Sequence, residues 1–340
     1  MKNIFSELES EKKISGEKSY PTSCSLVVLN RCLLQCKMCH MWKAPRVDDE
    51  VTIEELKRFV STVKDMLVGD KELIISGGEP LLKEGIFDLI RHASDRGLKT
   101  IMPTNGYLIT EEVAKRLHVS GLKEIFISLD SNNPATHDFL RGKDGCFERV
   151  MKGIEYLHAY CRGLRINFLT VISNKNLHEV ITLLHEIEND KRISGVYFQA
   201  IATPFFTGLG EDWCENEEFG CLWPHEYEKV VDVIDEIIHL KREKNYMVHN
   251  HHQHLELFKR YFKNPHCRVE KRGCYLGDSV INVDHVGNIN LCCFDQPVGN
   301  IRTNDIQRLW FSDDVKGRQA VMHQCERNCH NLVNCFFKPR

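Results

Sequence analysis

Apolar positions along this chain switch between two periods, and they do so in a regular order. Short runs rich in β-branched and aromatic residues, at 25–29, 72–76, 99–103, 124–129, 165–171 and 195–200, have the length and composition of strands. Between them lie stretches with helical spacing, 52–67, 81–96, 110–120, 146–160 and 177–189, and a sixth, 224–245, follows. Thr52 and Glu55 form a capping-box pattern at the first of these. Ile53, Leu56, Val60, Val63 and Leu67 then recur on one face.

Strand–helix alternation predicts parallel strands joined by crossover helices. Six such units make an α/β chain with a partial (β/α)6 barrel of the TIM type, two units short of closure. In barrels of this type the chemistry sits on loops at the carboxyl ends of strands. The unusual residues fall there. Three cysteines follow the first strand, Gly77-Gly78-Glu79-Pro80 the second and Pro103-Thr104-Asn105-Gly106 the third; Ser128-Leu129-Asp130 ends the fourth. The rhythm breaks between Trp213 and Trp223. From about residue 255 cysteines become frequent, at 267, 274, 292, 293, 325, 329 and 335. The expected organisation is a polar lead over 1–20, a barrel over 21–250 and a smaller Cys-rich α+β module over 255–340.

Composition narrows the function. Hydrophobic residues make up 42% and charged residues 27% of 340, an ordinary globular balance, and the net charge is −3. That charge gives no footprint for nucleic acid and no polybasic membrane patch, so a peptide or small-molecule substrate is expected. No run of 18 apolar residues and no apolar leader is present, and a cytoplasmic location is expected. Fifteen cysteines in a reducing compartment point to metal or cofactor ligation, not to disulfides.

Cys32, Cys36 and Cys39 have the spacing C-x3-C-x2-C. Three thiolates on one loop can bind three irons of a [4Fe–4S] cube and leave the fourth open for chemistry. Zinc is the competing occupant, although it usually takes four ligands. In the second loop, Gly77 and Gly78 let the backbone approach a ligand, and Glu79 can accept a hydrogen bond from a cationic amine.

The two loops together resemble those of the radical S-adenosylmethionine (SAM) superfamily, over about residues 20–245. The resemblance implies that the open iron chelates SAM and that reduction by a flavodoxin- or ferredoxin-type donor yields a 5′-deoxyadenosyl radical, which abstracts a substrate hydrogen. It implies cluster ligation by Cys32, Cys36 and Cys39, and contact of Gly77, Gly78 and Glu79 with the methionine amine. Ser128 and Asp130 would bind the SAM ribose or its surroundings and Arg141 the carboxylate, with Asn105 and Gln199 lining the same face. Met38 stands where the family usually has an aromatic residue beside the adenine.

Cys274, Gly287 and Cys292 fit C-x12-G-x4-C around alternating residues, which suggests a β-hairpin bringing the two cysteines together. Cys325, Cys329 and Cys335 follow downstream. This region resembles the SPASM and twitch auxiliary-cluster modules of some radical SAM enzymes, which implies a second [4Fe–4S] cluster. Its gaps depart from the full SPASM pattern, so a single cluster is expected, held by Cys274, Cys292 and two of Cys325, Cys329 and Cys335; Cys267 would enter if a second or differently bound cluster existed. A zinc site and a non-catalytic iron–sulfur or zinc scaffold are the alternatives. The histidines at 249, 251, 252 and 254 read as surface residues. Cys24, Cys146, Cys161, Cys214, Cys221 and Cys293 read as packed thiols, with Cys293 a fallback for Cys292. Trp213, Trp223, Phe205 and Phe206 either line a pocket or fill core.

Overall fold

The computed structural model describes residues 20–266, 268–269, 273–292 and 294–335. Six strands, β1 (Ser23–Val27), β2 (Glu72–Ser76), β3 (Lys99–Thr104), β4 (Glu124–Ser128), β5 (Arg165–Ile172) and β6 (Gly195–Ala200), pair in parallel with neighbours in sequence order. The connecting helices are α1 (Ile53–Val63), α2 (Ile86–Ser94), α3 (Glu111–Ser120), α4 (Pro134–Arg141), α5 (Cys146–Tyr160) and α6 (Val180–Asn189). They cover the outer face of the sheet, where the apolar stripe Leu56, Phe59, Val60 and Val63 of α1 is buried. Thr52 and Glu55 cap α1 reciprocally, as their spacing predicts. Beyond β6 come α7 (Tyr227–Glu243) and α8 (His252–Lys263).

The sheet does not end at β1. The short α9 (Leu276–Ser279) leads into β7 (Val280–Val283), which pairs in parallel with β1, and β8 (Asn288–Asn290) and β9 (Gly299–Asn300) continue antiparallel. The β7–β8 turn needs a left-handed residue, and Gly287 supplies it at φ 85°. Three helices complete the described chain, α10 (Ile306–Trp310), α11 (Asp313–Met322) and α12 (His330–Asn334). The result is one nine-stranded sheet, an open barrel with the hairpin grafted onto its first strand. None of the described helices is long and apolar enough to cross a membrane.

Alternation sorts the inner face into layers. The lowest is polar: Lys99 Nζ lies 2.9 Å from Glu72 and 3.4 Å from Glu124, and Asn167 bridges Glu124 to His249. Above it Ile101, Phe126 and Tyr197 pack with Ile74 and Leu169 in a small cluster apart from the main core. Ser76, Pro103, Ser128, Val171 and Gln199 form the top layer, all half-buried, so the mouth of the barrel is accessible.

The outer edge of β6 is covered residue by residue. Val196 exchanges backbone bonds with Met247 and His249. The side-chain amide of Asn250 takes both the N–H and the C=O of Phe198, at 2.7 and 2.8 Å, and that of Asn334 takes both of Ala200, at 2.7 and 2.9 Å. Two asparagines thus stand in for a strand.

Several expectations need correction. The paired part of the first strand lies two residues earlier than 25–29. The helix expected from residue 81 begins at Ile86, behind a 3-10 turn and the left-handed Gly85. Helix α4 is not predicted, because its eight residues are too few to display a period. His249 and His254 are buried, contrary to the surface reading: His249 bonds Asn167 at 2.8 Å, and His254 bonds the Val333 carbonyl at 2.8 Å. Trp213 and Trp223 belong to the core, whereas Phe205 and Phe206 are exposed. Cys24, Cys146, Cys161 and Cys214 are buried thiols, but Cys221 is exposed. Cys267 and Cys293 lie outside the described residues.

Candidate active site

The cysteine loop and the glycine loop are laced together by main chain. Val28 N–H donates to Ser76, Gly78 N–H to Leu29 and Glu79 N–H to Arg31, at 2.9–3.0 Å. Side chains at the glycines would break this contact. A Cβ on Gly78 would fall 2.1 Å from the Arg31 carbonyl oxygen, and one on Gly77 2.5 Å from that of Leu29. The double glycine therefore sets the distance between the two loops.

Cys32, Cys36 and Cys39 gather at the end of β1, close enough that Cys39 raises the thiol pKa of Cys32 and of Cys36. Burial is the larger cause, and it pushes Cys36 up to about 12. Cys32 is also raised, mainly by burial, and Cys39 likewise. Arg141 is the nearest countercharge to Cys36. The Asn105 side-chain amide points at Cys32 Sγ, 3.7 Å away, and the Phe205 N–H donates to the Cys39 carbonyl at 2.9 Å.

Glu79 is fully buried. Its carboxylate accepts from the Thr104 hydroxyl at 2.8 Å, the Asn105 N–H at 2.9 Å and the Leu81 N–H at 3.1 Å. Burial raises its pKa, against the lowering effect of those donors. Asp130 is buried too, accepting from the Val171 N–H at 3.0 Å, with Arg141 Nε 2.8 Å from its other oxygen. That second contact is an ion pair whose angle lies outside hydrogen-bond geometry. Asp130 N–H donates to His137 Nδ1, and burial, then Arg141, lowers the pKa of that imidazole to about 3. Ser128 and Gln199 face the open mouth from the inner side of β4 and β6, and Met38 is half-buried against the core.

A second thiol group forms where the hairpin meets the chain's last helices. Cys274 N–H and Cys325 N–H both donate to the Met322 carbonyl, at 3.1 and 3.0 Å, which holds these two residues side by side. Cys274 interacts electrostatically with Cys292, Cys325 and Cys329, and Cys335 with Cys274 and Cys329. Burial pushes Cys274 up to about 11 and Cys335 up to about 12. All five thiols, 274, 292, 325, 329 and 335, share one neighbourhood. Neither group is packed as one small ion requires. Among the described residues the one set of three candidate ligand atoms within 4.8 Å of each other is Asp212, Glu215 and His266, all exposed.

Sequence named Phe205 as a pocket or core candidate without showing its contacts, and Tyr197 was not singled out at all. Phe205 spans the two thiol groups, with its N–H on Cys39 and its ring 5.8 Å from that of His330, the residue after Cys329. Tyr197 donates to the Asn334 carbonyl at 2.7 Å, reaching from the barrel interior to the segment between Cys329 and Cys335. Asn334 stands five residues past Cys329, and nothing local in the sequence signals its contact with Tyr197.

Comparison with known proteins places this geometry. The radical SAM superfamily profile matches residues 26–187. An AdoMet-dependent heme synthase of Methanosarcina barkeri is 31% identical over 298 residues, 84% of this chain and 80% of that protein. One of Nitratidesulfovibrio vulgaris is 29% identical over 307 residues, 86% and 80% of the two chains. Among solved structures, Streptococcus suis SuiB bound to S-adenosylmethionine superposes with a TM-score of 0.69 at 18% identity, covering 92% of this chain and 73% of SuiB. The anSMEcpe structure with bound AdoMet gives 0.66 at 19%, covering 93% and 88%.

Proposed function

The chain belongs to the radical SAM superfamily, and from that membership we propose that Cys32, Cys36 and Cys39 hold three corners of a [4Fe–4S] cluster whose fourth corner takes SAM. When bound, this pair supplies one-electron cleavage of SAM to methionine and a 5′-deoxyadenosyl radical that takes hydrogen from a substrate carbon. The protein's share is binding, orientation and exclusion of side reactions. One observation carries the reading: three thiols of a single loop converge at a strand end against a double-glycine loop that admits no side chain.

The donor set fits the cluster. A structural zinc usually takes four ligands, whereas this loop offers three thiols, one for each of three irons of a cube. Asn105 supports Cys32 by its N–H···S contact, the kind of outer contact that tunes a cluster. Glu79, already saturated by chain donors, shapes the loop so that main-chain atoms of Gly77 and Gly78 meet the methionine amine. Arg141, held by Asp130, presents the positive charge for the SAM carboxylate, and Ser128 and Gln199 line the mouth where the nucleoside lies.

The second thiol group supports an auxiliary [4Fe–4S] cluster drawn from Cys274, Cys292, Cys325, Cys329 and Cys335. For the substrate, relatives named AdoMet-dependent heme synthase match over 80% of their length, which favours haem formation as the first activity to assay. A peptide is the second choice. The test of the class itself is anaerobic reconstitution, reduction with dithionite and addition of SAM. 5′-Deoxyadenosine and methionine should form in equal amounts, and their absence from cluster-loaded protein would remove the proposal.

A further inference from the structure

The radical SAM reading requires an electron from outside the protein, and the surface over the cysteine loop suggests where it enters. The outer side of that loop rests directly on the end of α4. Lys37 N–H donates to the Leu140 carbonyl at 2.9 Å. A Cβ on Gly142 would lie 2.2 Å from the Gln35 carbonyl oxygen, so no side chain intervenes there. The end of α4 therefore lies directly against the loop that carries Cys36.

On this end of α4 stands Phe139, 47% exposed, with two ammonium groups on its ring. Lys37 Nζ is 5.7 Å and Lys175 Nζ 5.8 Å from the ring centre. Lys37 is the residue after Cys36. Among the described residues neither lysine has a carboxylate within ion-pair distance. Most other basic side chains with a close partner here are tied to acids, as Lys83 and Arg31 are to Glu50. Lys143 and Arg149 extend the patch over Tyr107, at 5.8 and 5.5 Å. Exposed Asp144 and Glu148 stand beside Lys143 and Arg149, so the cationic excess in a chain of net charge −3 centres on Lys37 and Lys175 at Phe139.

Two like charges over one ring repel each other, and an anionic surface relieves them. An exposed aromatic inside a cationic rim is also the arrangement that docks a protein of opposite charge. We propose that Lys37, Phe139 and Lys175 form the docking surface for an acidic one-electron carrier protein, of the flavodoxin or ferredoxin class, that reduces the cluster behind Cys36. The proposal rests on the radical SAM reading of Cys32, Cys36 and Cys39, and the experiment separates the two.

The double variant Lys37→Glu/Lys175→Glu is compared with wild type and with the remote Lys229→Glu, all cluster-loaded to equal iron. Each forms 5′-deoxyadenosine from SAM with reduced flavodoxin or with dithionite. The expected result is a rise of roughly tenfold or more in the flavodoxin concentration for half-maximal rate, confined to the double variant and shrinking as salt is raised. Its dithionite rate should stay within about twofold of wild type. Phe139→Ala should weaken the flavodoxin reaction in the same selective way. An unchanged flavodoxin dependence in the double variant overturns the docking surface. So does an equal loss with dithionite, which would mean that the lysines serve SAM or an anionic substrate instead. Failure of wild type with dithionite would overturn the radical SAM reading, a different result.

Discussion

Gly78 sets a limit on the two loops that can be measured. Its Cβ would meet backbone atoms of Arg31 at 2.1 and 2.4 Å, and backbone cannot swing aside as a side-chain tip can. Gly78→Ala should therefore cost about 1–3 kcal/mol of stability. It should also lower iron at the first thiol group, read by iron and acid-labile sulfide analysis, more than at the second. Glu55 makes a contrasting residue-scale case. Arg302, then the Thr52 backbone N–H, holds its pKa at about 2, below the ordinary 4.5. A depressed carboxylate contributes stability above its unfolded pKa and loses it as pH falls through the folded one. Glu55→Gln keeps the capping box but loses the ion pair with Arg302, and should lower the melting temperature at pH 7 by the equivalent of about 0.5–1 kcal/mol. The difference should fade between pH 4.5 and about pH 2. At this scale the sequence was legible where a motif is contiguous: the capping box, the three cysteines and the double glycine all stand as spaced. It was illegible where partners are remote. Nothing near Glu79 announces that Thr104 and Asn105 saturate its carboxylate, because they lie on the next loop.

Elements with a strong period emerged at or near their expected bounds; β2, α5 and β6 match residue for residue. The misses share a cause. Helix α4 is short, starts at Pro134 behind Asn133 and stops at left-handed Gly142, so its capping residues outweigh its period. The buried histidines were misread because a polar side chain is buried only when a distant partner satisfies it, and those partners, Asn167 and Val333, come from other elements. Helix α12 shows how such partners connect elements. Asn334 closes the edge of β6 at Ala200, and Tyr197 and His254 hold the carbonyls of Asn334 and Val333. Asn334→Ala would strand the Ala200 N–H and C=O, at about 1–3 kcal/mol. The variant should lose iron from the auxiliary thiols while keeping that of the first group. Electron paramagnetic resonance of the reduced protein reads the two separately, and equal retention of both signals would show that the latch does not position Cys329 and Cys335.

For the whole molecule, one sheet carries both thiol groups. Because β7 runs parallel to β1 and β8 runs back, Cys274 and Cys292 flank the hairpin at the Ser23 end of β1, while Cys32 follows its other end. The C-terminal segment then crosses to β6, so the auxiliary thiols lie between the two ends of the open barrel. Composition and periodicity foretold an open α/β barrel and a Cys-rich module, but not that the module continues the same sheet, since a parallel pairing between residues 23 and 280 leaves no local trace. On the proposed reading the labour is divided: the first group would cleave SAM, and the second would serve the substrate or its oxidation. The most direct test compares Cys32→Ala with Cys292→Ala, each anaerobically reconstituted, reduced with dithionite and given SAM without substrate. The account predicts 5′-deoxyadenosine from Cys292→Ala and none above background from Cys32→Ala. Product from Cys32→Ala at the wild-type level would contradict it.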